Sequence, residues 1–354
     1  MEKDISHELQ ETALNILNKH IPGNTWCIEL FTKGNTNTTL KCTHLAGISK
    51  NNKILILKIF KEDSNKLIDR EREHNNILML HSYKLAPQII FTFSNGFCIE
   101  YVPGTDLEPC NLKKYSTEIA KKIKEWHSLP IKGNTILFHT LINWYNQAFS
   151  THHKILEELQ ILKIINNLKI KIENKKCKLA FCHNDLLASN IIVGEDNKIY
   201  FIDYEYSGIN YASFDIANHF CEYAGYSNSF ENIPCEIEIK KFLEIYCFKD
   251  SLILYEEVLL FIPVAHIFWG LWGLNKRGDF DFYGYAISKI KEGVRCYEKE
   301  GVSVCGVLCY EKGGVSVCGV LCYEKLEKIF KFLILKRRVL SKERVLNVII
   351  KVLK

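Results

Sequence analysis

FCHNDLLASNIIVGEDNKIYFIDYEY, residues 181–206, sets two aspartates, Asp185 and Asp203, together with His183 and Asn190 into a stretch otherwise apolar enough to be buried strand and turn. A buried polar or charged side chain without a partner is costly. Four of them in one stretch must therefore serve each other or a ligand. His183-Asn184-Asp185, separated from Asn190 by four residues, fits H-x-D-x-x-x-x-N, and the apolar run KIYFID stops at Asp203.

That spacing suits phosphoryl transfer, in which one aspartate accepts the proton of the attacking hydroxyl while an asparagine on the same loop binds a metal ion beside the phosphates. An aspartate ending the next strand supplies the second metal-binding group. Magnesium prefers oxygen ligands and keeps several waters, so one carboxylate, one amide and ATP phosphates suffice. His183 reads as a packed structural histidine.

Upstream, the chain should supply a cation for the phosphates. Lys58 closes the apolar run KILILKIF, and Glu73 on the following helix pattern is its natural partner, with Glu71 the competing choice. FTKGNTNTTL, residues 31–40, reads as strand-turn-strand, and Gly34, Thr36 and Asn37 could cover phosphates with backbone amides and small polar groups. Around these lie a helix pattern at residues 8–19, then the short strand-like runs WCIELF, TTLKCTHLAGI, KILILKIF, QIIFTF and FCIEYV. IDREREHNNILMLHSY reads as one helix inserted among them. EYVPGTDLEP is a hinge, after which the pattern is mainly helical and interrupted by the strand pair KLAFCHND and KIYFIDYEY. The reading is α+β: residues 1–103 a β-rich lobe, 104–298 a helical lobe, and 299–354 an extension outside the fold.

Taken together, FTKGNTN, ILKIF, IDREREHNNILMLHSYKLAPQIIFTFSNGFCIEYVPG, FCHNDLLASNII, FIDYEYSGINYASFDIANHFCEYAG and HIFWGLWGL with FDFYGYA resemble the choline/ethanolamine kinases from about residue 28 to residue 298. The resemblance implies a two-lobed, protein-kinase-like fold and transfer of the ATP γ-phosphoryl group, with Mg2+, to a small amino alcohol. It implies Asp185 as base, Asn190 and Asp203 as metal ligands, Lys58 and Glu73 as the phosphate-binding pair, and Glu100, Tyr101 and Val102 at the adenine. Tyr206, Glu222, Trp269, Trp272 and Tyr285 would line the amine pocket, where aromatic faces and a carboxylate offset the desolvation of an ammonium. Asp215 would steady the catalytic loop. HNDLLASN, IDYEY and CEYAG are similar to the ethanolamine branch, with choline, or both amines, as the alternative. Trp272 to Phe280 is about four residues shorter than the family pattern suggests. A protein kinase is disfavoured by Leu187 where a lysine is usual, and by the missing D-F-G glycine and A-P-E. An aminoglycoside-type phosphotransferase would share the fold but lack the paired tryptophans. A silent kinase-like scaffold would have lost one of Lys58, Asp185, Asn190 or Asp203.

Composition fits a globular chain: 354 residues, 47% hydrophobic and 25% charged. Fourteen cysteines without a secretory signal pattern point to reduced thiols and a cytoplasmic protein. Val258–Leu274 is apolar for 17 residues but carries Pro263 and His266, so a buried helix is expected there. Cysteines 296, 305, 309, 318 and 322 lack the C-x-x-C pairs or neighbouring histidines of a zinc site. They mark a tandem repeat, CYEKEGVSVCGVL then CYEKGGVSVCGVL, whose cores are β-prone. The net charge of +5 is confined to the end of the chain: residues 325–354 net +8, leaving −3 for the rest. Such a basic, apolar tail reads as a solvated or disordered extension, with weak attraction to anionic lipid as the alternative, and not as a nucleic-acid-binding element. A homodimer is compatible with the resemblance.

Overall fold

The computed structural model describes residues 5–31, 36–45, 53–61, 67–247 and 249–299, and the backbone of two strands at 307–312 and 315–320. Gly34 and the basic tail lie outside the described residues.

The first lobe is an antiparallel sheet of β1 (Trp26–Phe31), β2 (Asn37–His44), β3 (Ile54–Phe60), β4 (Ile89–Phe93) and β5 (Gly96–Glu100), ordered β1-β2-β3-β5-β4. Side chains alternate across a strand, so β3 turns Leu55 and Leu57 into a small core with Leu40, Cys98 and Leu17 and presents Lys58 on the other face. Leu17 belongs to α1 (His7–His20), whose first turn is capped by Ser6. Lys58 pairs with Thr39 on one side and Phe97 on the other, which places it inside the sheet. Gly96 makes that packing possible, since a Cβ there would stand 2.1 Å from the Lys58 carbonyl oxygen. Between β3 and β4 lies α2 (Arg70–Ser82), N-capped by Asp69.

Beyond β5 the chain leaves this sheet. β6 (Gly104–Asp106) joins β8 (Ile191–Gly194) and β9 (Ile199–Phe201) in a second sheet, while β7 (Leu179–Cys182) pairs with β10 (Gly208–Tyr211). The expected pairing of KLAFC with KIYFID is therefore corrected. Each pairs instead with a four-residue run, GINY or IIVG, too short to register as a periodic signal. The interleaving brings the loop after β7 and the turn after β9 to the same edge.

The rest is helical: α3 (Ser116–Trp126), α4 (Leu137–Glu158), α5 (Ile161–Lys175), α6 (Ala212–Cys221), α7 (Glu236–Tyr246), α8 (Ser251–Leu274) and α9 (Phe282–Lys299). By length and composition α8 could cross a membrane, but every residue from Pro263 to Leu274 is buried in the protein. Gly270 and Gly273 let α9 approach closely, because Cβ atoms there would stand 2.4 Å from Ile290 Cγ1 and 3.0 Å from Ala286 Cβ. In the repeat region β11 (Val307–Lys312) and β12 (Val315–Val320) form an antiparallel hairpin.

Candidate active site

The loop after β7 is held from below by Asp215 on α6. Its Oδ2 accepts from the His183 amide at 3.0 Å and its Oδ1 from the Asn184 amide at 2.7 Å, while His127 Nε2 lies 3.0 Å from Oδ2. Burial acts to raise the Asp215 carboxyl, but the hydrogen bond and charge of His127 and the amide of His183 hold it below its ordinary value. Asn184 sits at φ 67°, the left-handed region asparagine tolerates, and is pinned there by an amide network. Its Nδ2 donates to the Tyr206 carbonyl, its Oδ1 accepts from Asn210, and its carbonyl accepts from Asn218. His183 is wholly buried, with Nε2 2.9 Å from the carbonyl oxygen of Ile202.

This frame fixes Asp185. Asn190, ending the short 3₁₀ turn Ala188–Asn190, donates through Nδ2 to the Asp185 carbonyl at 2.9 Å and to its Oδ2 at 3.0 Å. Burial pushes the Asp185 carboxyl well above the carboxylate range, and the charges of Asp203, Glu222 and Glu205 push the same way. The Asn190 carbonyl accepts from the Ile202 amide, so Asp203, itself at φ 65°, is placed directly from the loop after β7.

Facing these groups is the cationic end of the first lobe. Lys58 Nζ lies 2.8 Å from Glu73 Oε1, 2.7 Å from Asp203 Oδ1 and 3.6 Å from Glu205 Oε2. Burial disfavours its charge, but Asp203, Glu73 and Glu205 outweigh that and raise its pKa. Glu71 is exposed. Arg70 adds a second cation, 2.8 Å from Glu73 and 3.3 Å from Glu205. Thr36 Oγ1 and Asn37 Nδ2 both donate to Glu205, at 2.8 and 2.9 Å. Burial and then the charge of Asp203 raise Glu205 to about 7, with Lys58 and Arg70 opposing.

Two cavities meet here. A cleft of about 220 Å3 between the lobes is lined by Lys58, Glu73, Glu100, Tyr101, Val102, Asn190 and Asp203. A tighter one of about 50 Å3 lies against the loop after β7, with Asp185, Tyr206, Glu222, Trp269, Trp272 and Tyr285 in its wall. Ser189, Asn190 and Asp203 belong to both. Trp269 and Trp272 share one face of α8, their rings 5.6 Å apart and edge-on. They are anchored by hydrogen bonds to Asn218 at 2.6 Å and to the Tyr206 hydroxyl at 2.7 Å. The short α8–α9 connection brings Phe280 against Tyr226 and Tyr285.

The structure thus gathers the residues singled out by sequence, apart from Gly34, into one continuous site. It also adds residues that sequence reading missed. Glu205 lies within the IDYEY block, yet its partners Thr36 and Asn37 are 169 and 168 residues away. Lys289 on α9 is fully buried with Nζ 2.8 Å from Glu222 Oε1, and only its position one turn after Tyr285 could have drawn attention to it.

The Choline/ethanolamine kinase family matches residues 28–293. The chain is 30% identical to human ethanolamine kinase 1, over 81% of this chain and 71% of that protein. Among solved structures it is similar to an ethanolamine kinase of Plasmodium vivax, with a TM-score of 0.74 and 23% identity over 81% of this chain and 89% of that one. It is also similar to a choline kinase of Cryptosporidium parvum, with a TM-score of 0.69 and 25% identity over 82% of this chain and 96% of that one. A family match over three quarters of the length and a relative at this identity, with a fold similar to these solved structures, lead to one conclusion: the chain belongs to the choline/ethanolamine kinase family.

Proposed function

We propose that this chain transfers the γ-phosphoryl group of ATP to the hydroxyl of ethanolamine, the first committed step from that amine toward phosphatidylethanolamine. The observation that carries the reading is the meeting of the two cavities at Asn190 and Asp203, with Asp185 in the wall of the smaller one. A phosphoryl group delivered from the cleft would meet an acceptor hydroxyl beside a carboxylate.

The roles follow from the contacts. Glu100, Tyr101 and Val102 face the adenine end of the cleft, and Lys58, oriented by Glu73, neutralises phosphate oxygens. Asn190 gives its amide nitrogen to Asp185, leaving its oxygen, and Asp203 gives only Oδ1 to Lys58. These are hard oxygen donors of the kind Mg2+ takes. Bound there, Mg2+ would offset the charge that builds on the phosphates. Asp185 accepts the hydroxyl proton as the oxygen attacks phosphorus in line with the departing ADP. Asp215 acts through the loop amides, as a positioning residue.

In the smaller cavity Glu222 offers a charge and Tyr206, Trp269, Trp272 and Tyr285 offer ring faces to the ammonium. A primary ammonium donates three hydrogen bonds and a trimethylammonium none, and a confined space with a carboxylate favours the former. Human ethanolamine kinase 1, the relative described above, supports the same choice. The aromatic walls also suit a trimethylammonium, so choline is the second reading.

The test is ADP release with Mg2+ and ATP, comparing ethanolamine, choline and no acceptor. Ethanolamine-dependent turnover should fall by about 10²–10⁴-fold in Asp185→Ala. Equal or better turnover with choline would reverse the assignment of substrate, and turnover with neither amine would sink the reading.

A further inference from the structure

The sequence offers no neighbouring histidine to the cysteines near its end, but the packing of α8 on α9 provides one. His266 on α8 is 0% exposed and both of its ring nitrogens are buried without a hydrogen-bond partner. A buried imidazole with neither nitrogen satisfied is costly and requires an explanation. Across the interface, Glu292 and Cys296 stand one turn apart on the same face of α9. A histidine nitrogen, a Glu292 oxygen and the Cys296 sulfur all lie within 4.8 Å of one another. Gly293 permits this convergence: a Cβ there would stand 3.2 Å from His266 Cβ and 2.8 Å from Ile267 Cγ1.

We propose that His266, Glu292 and Cys296 form a zinc site between α8 and α9, separate from the phosphoryl-transfer site, with water completing the shell. A mixed set of nitrogen, oxygen and sulfur donors suits Zn2+ and not Mg2+. Ligand atoms around tetrahedral zinc stand roughly 3.3–3.8 Å apart, so closing the triad needs about an ångström of side-chain adjustment. A supporting residue is already in place. Arg295 Nε donates to Glu292 Oε2 at 2.6 Å and its Nη2 to Oε1, orienting the carboxylate as outer groups do around metal ligands. Cys296 Sγ currently donates to Glu292 Oε1 at 3.5 Å, and coordination releases that thiol proton to solvent. Cys296 is the partly exposed member of the three.

The test uses the full chain in buffer containing Mg2+. Wild type dialysed after zinc loading should retain about one zinc per chain, and Co2+ in its place should give a thiolate-to-cobalt charge-transfer band with visible bands of tetrahedral type. Both signals should vanish in Cys296→Ser and His266→Asn while the helical circular dichroism persists, and both should survive in Cys110→Ser, an exposed cysteine. Absence of retained zinc and of the cobalt band in wild type overturns the site, as does their persistence in both variants. X-ray absorption on zinc-loaded wild type decides independently of how the variants fold: one sulfur in a mixed nitrogen and oxygen shell supports the site, whereas a shell of sulfur alone or oxygen alone refutes it.

Discussion

Lys289 shows what a single side chain contributes when it is buried against one partner. Lys289 is wholly enclosed, Glu222 is 7% exposed, and Lys289 Nζ is 5.6 Å from the centre of the Tyr285 ring. Removing one member of a buried pair strands the other charge, at a cost of about 3–5 kcal/mol. Lys289→Met should therefore lower the unfolding free energy by that order in urea denaturation, and Glu222→Gln in the same chain should restore most of it. Equal stability of wild type and Lys289→Met would show that the pair carries no such penalty. At this scale the sequence was legible where spacing encodes geometry: Asp185 and Asn190 share one loop, and Lys58 sits at the end of an apolar strand. It was not legible where partners are remote. Nothing in the chain near Glu205 announces Thr36 or Asn37, and nothing near Asn218 announces the Trp269 indole it accepts from.

Among the elements, α6 is buried on all sides and includes His219, whose Nδ1 faces the Leu186 carbonyl at 3.0 Å. Burial lowers its pKa to about 4, against the upward pulls of the Leu186 contact and Asp215. Its ordinary value is 6.5, so above that pH both folded and unfolded chains hold it neutral and its contribution is fully present. As pH falls, the unfolded chain takes the proton first. Stability is then lost between about 6.5 and about 4, by on the order of 3 kcal/mol in all. Urea unfolding from pH 8 to pH 5 should show this decline, with a shallower slope in His219→Asn. Identical slopes would mean that His219 does not titrate differently on unfolding. The strand and helix patterns of the first lobe were readable because alternation and helical period are local. Pairing was not: KIYFID and KLAFC looked like partners only because IIVG and GINY, which they join, are four residues each.

For the whole molecule, the last element to touch the site among the described residues is α9, ending at Lys299, and the family match ends at residue 293. A chain terminated after Lys299 should keep its amine-dependent ATP turnover within about threefold, since it retains the whole of the family match and every site residue described. A collapse of turnover with the truncated chain still folded would give the repeat and basic tail a role in the reaction. The two-lobed plan itself was visible in the order of strands, hinge and helices, because each lobe is built from contiguous sequence. How the lobes are fastened was not. They are joined covalently at Tyr101–Pro103, and across the cleft by Thr36 and Asn37 to Glu205 and by Asn76 to Ser207. Opening the cleft wide would break the Thr36 and Asn37 hydrogen bonds to Glu205, so the clasp at that one carboxylate resists separation of the lobes.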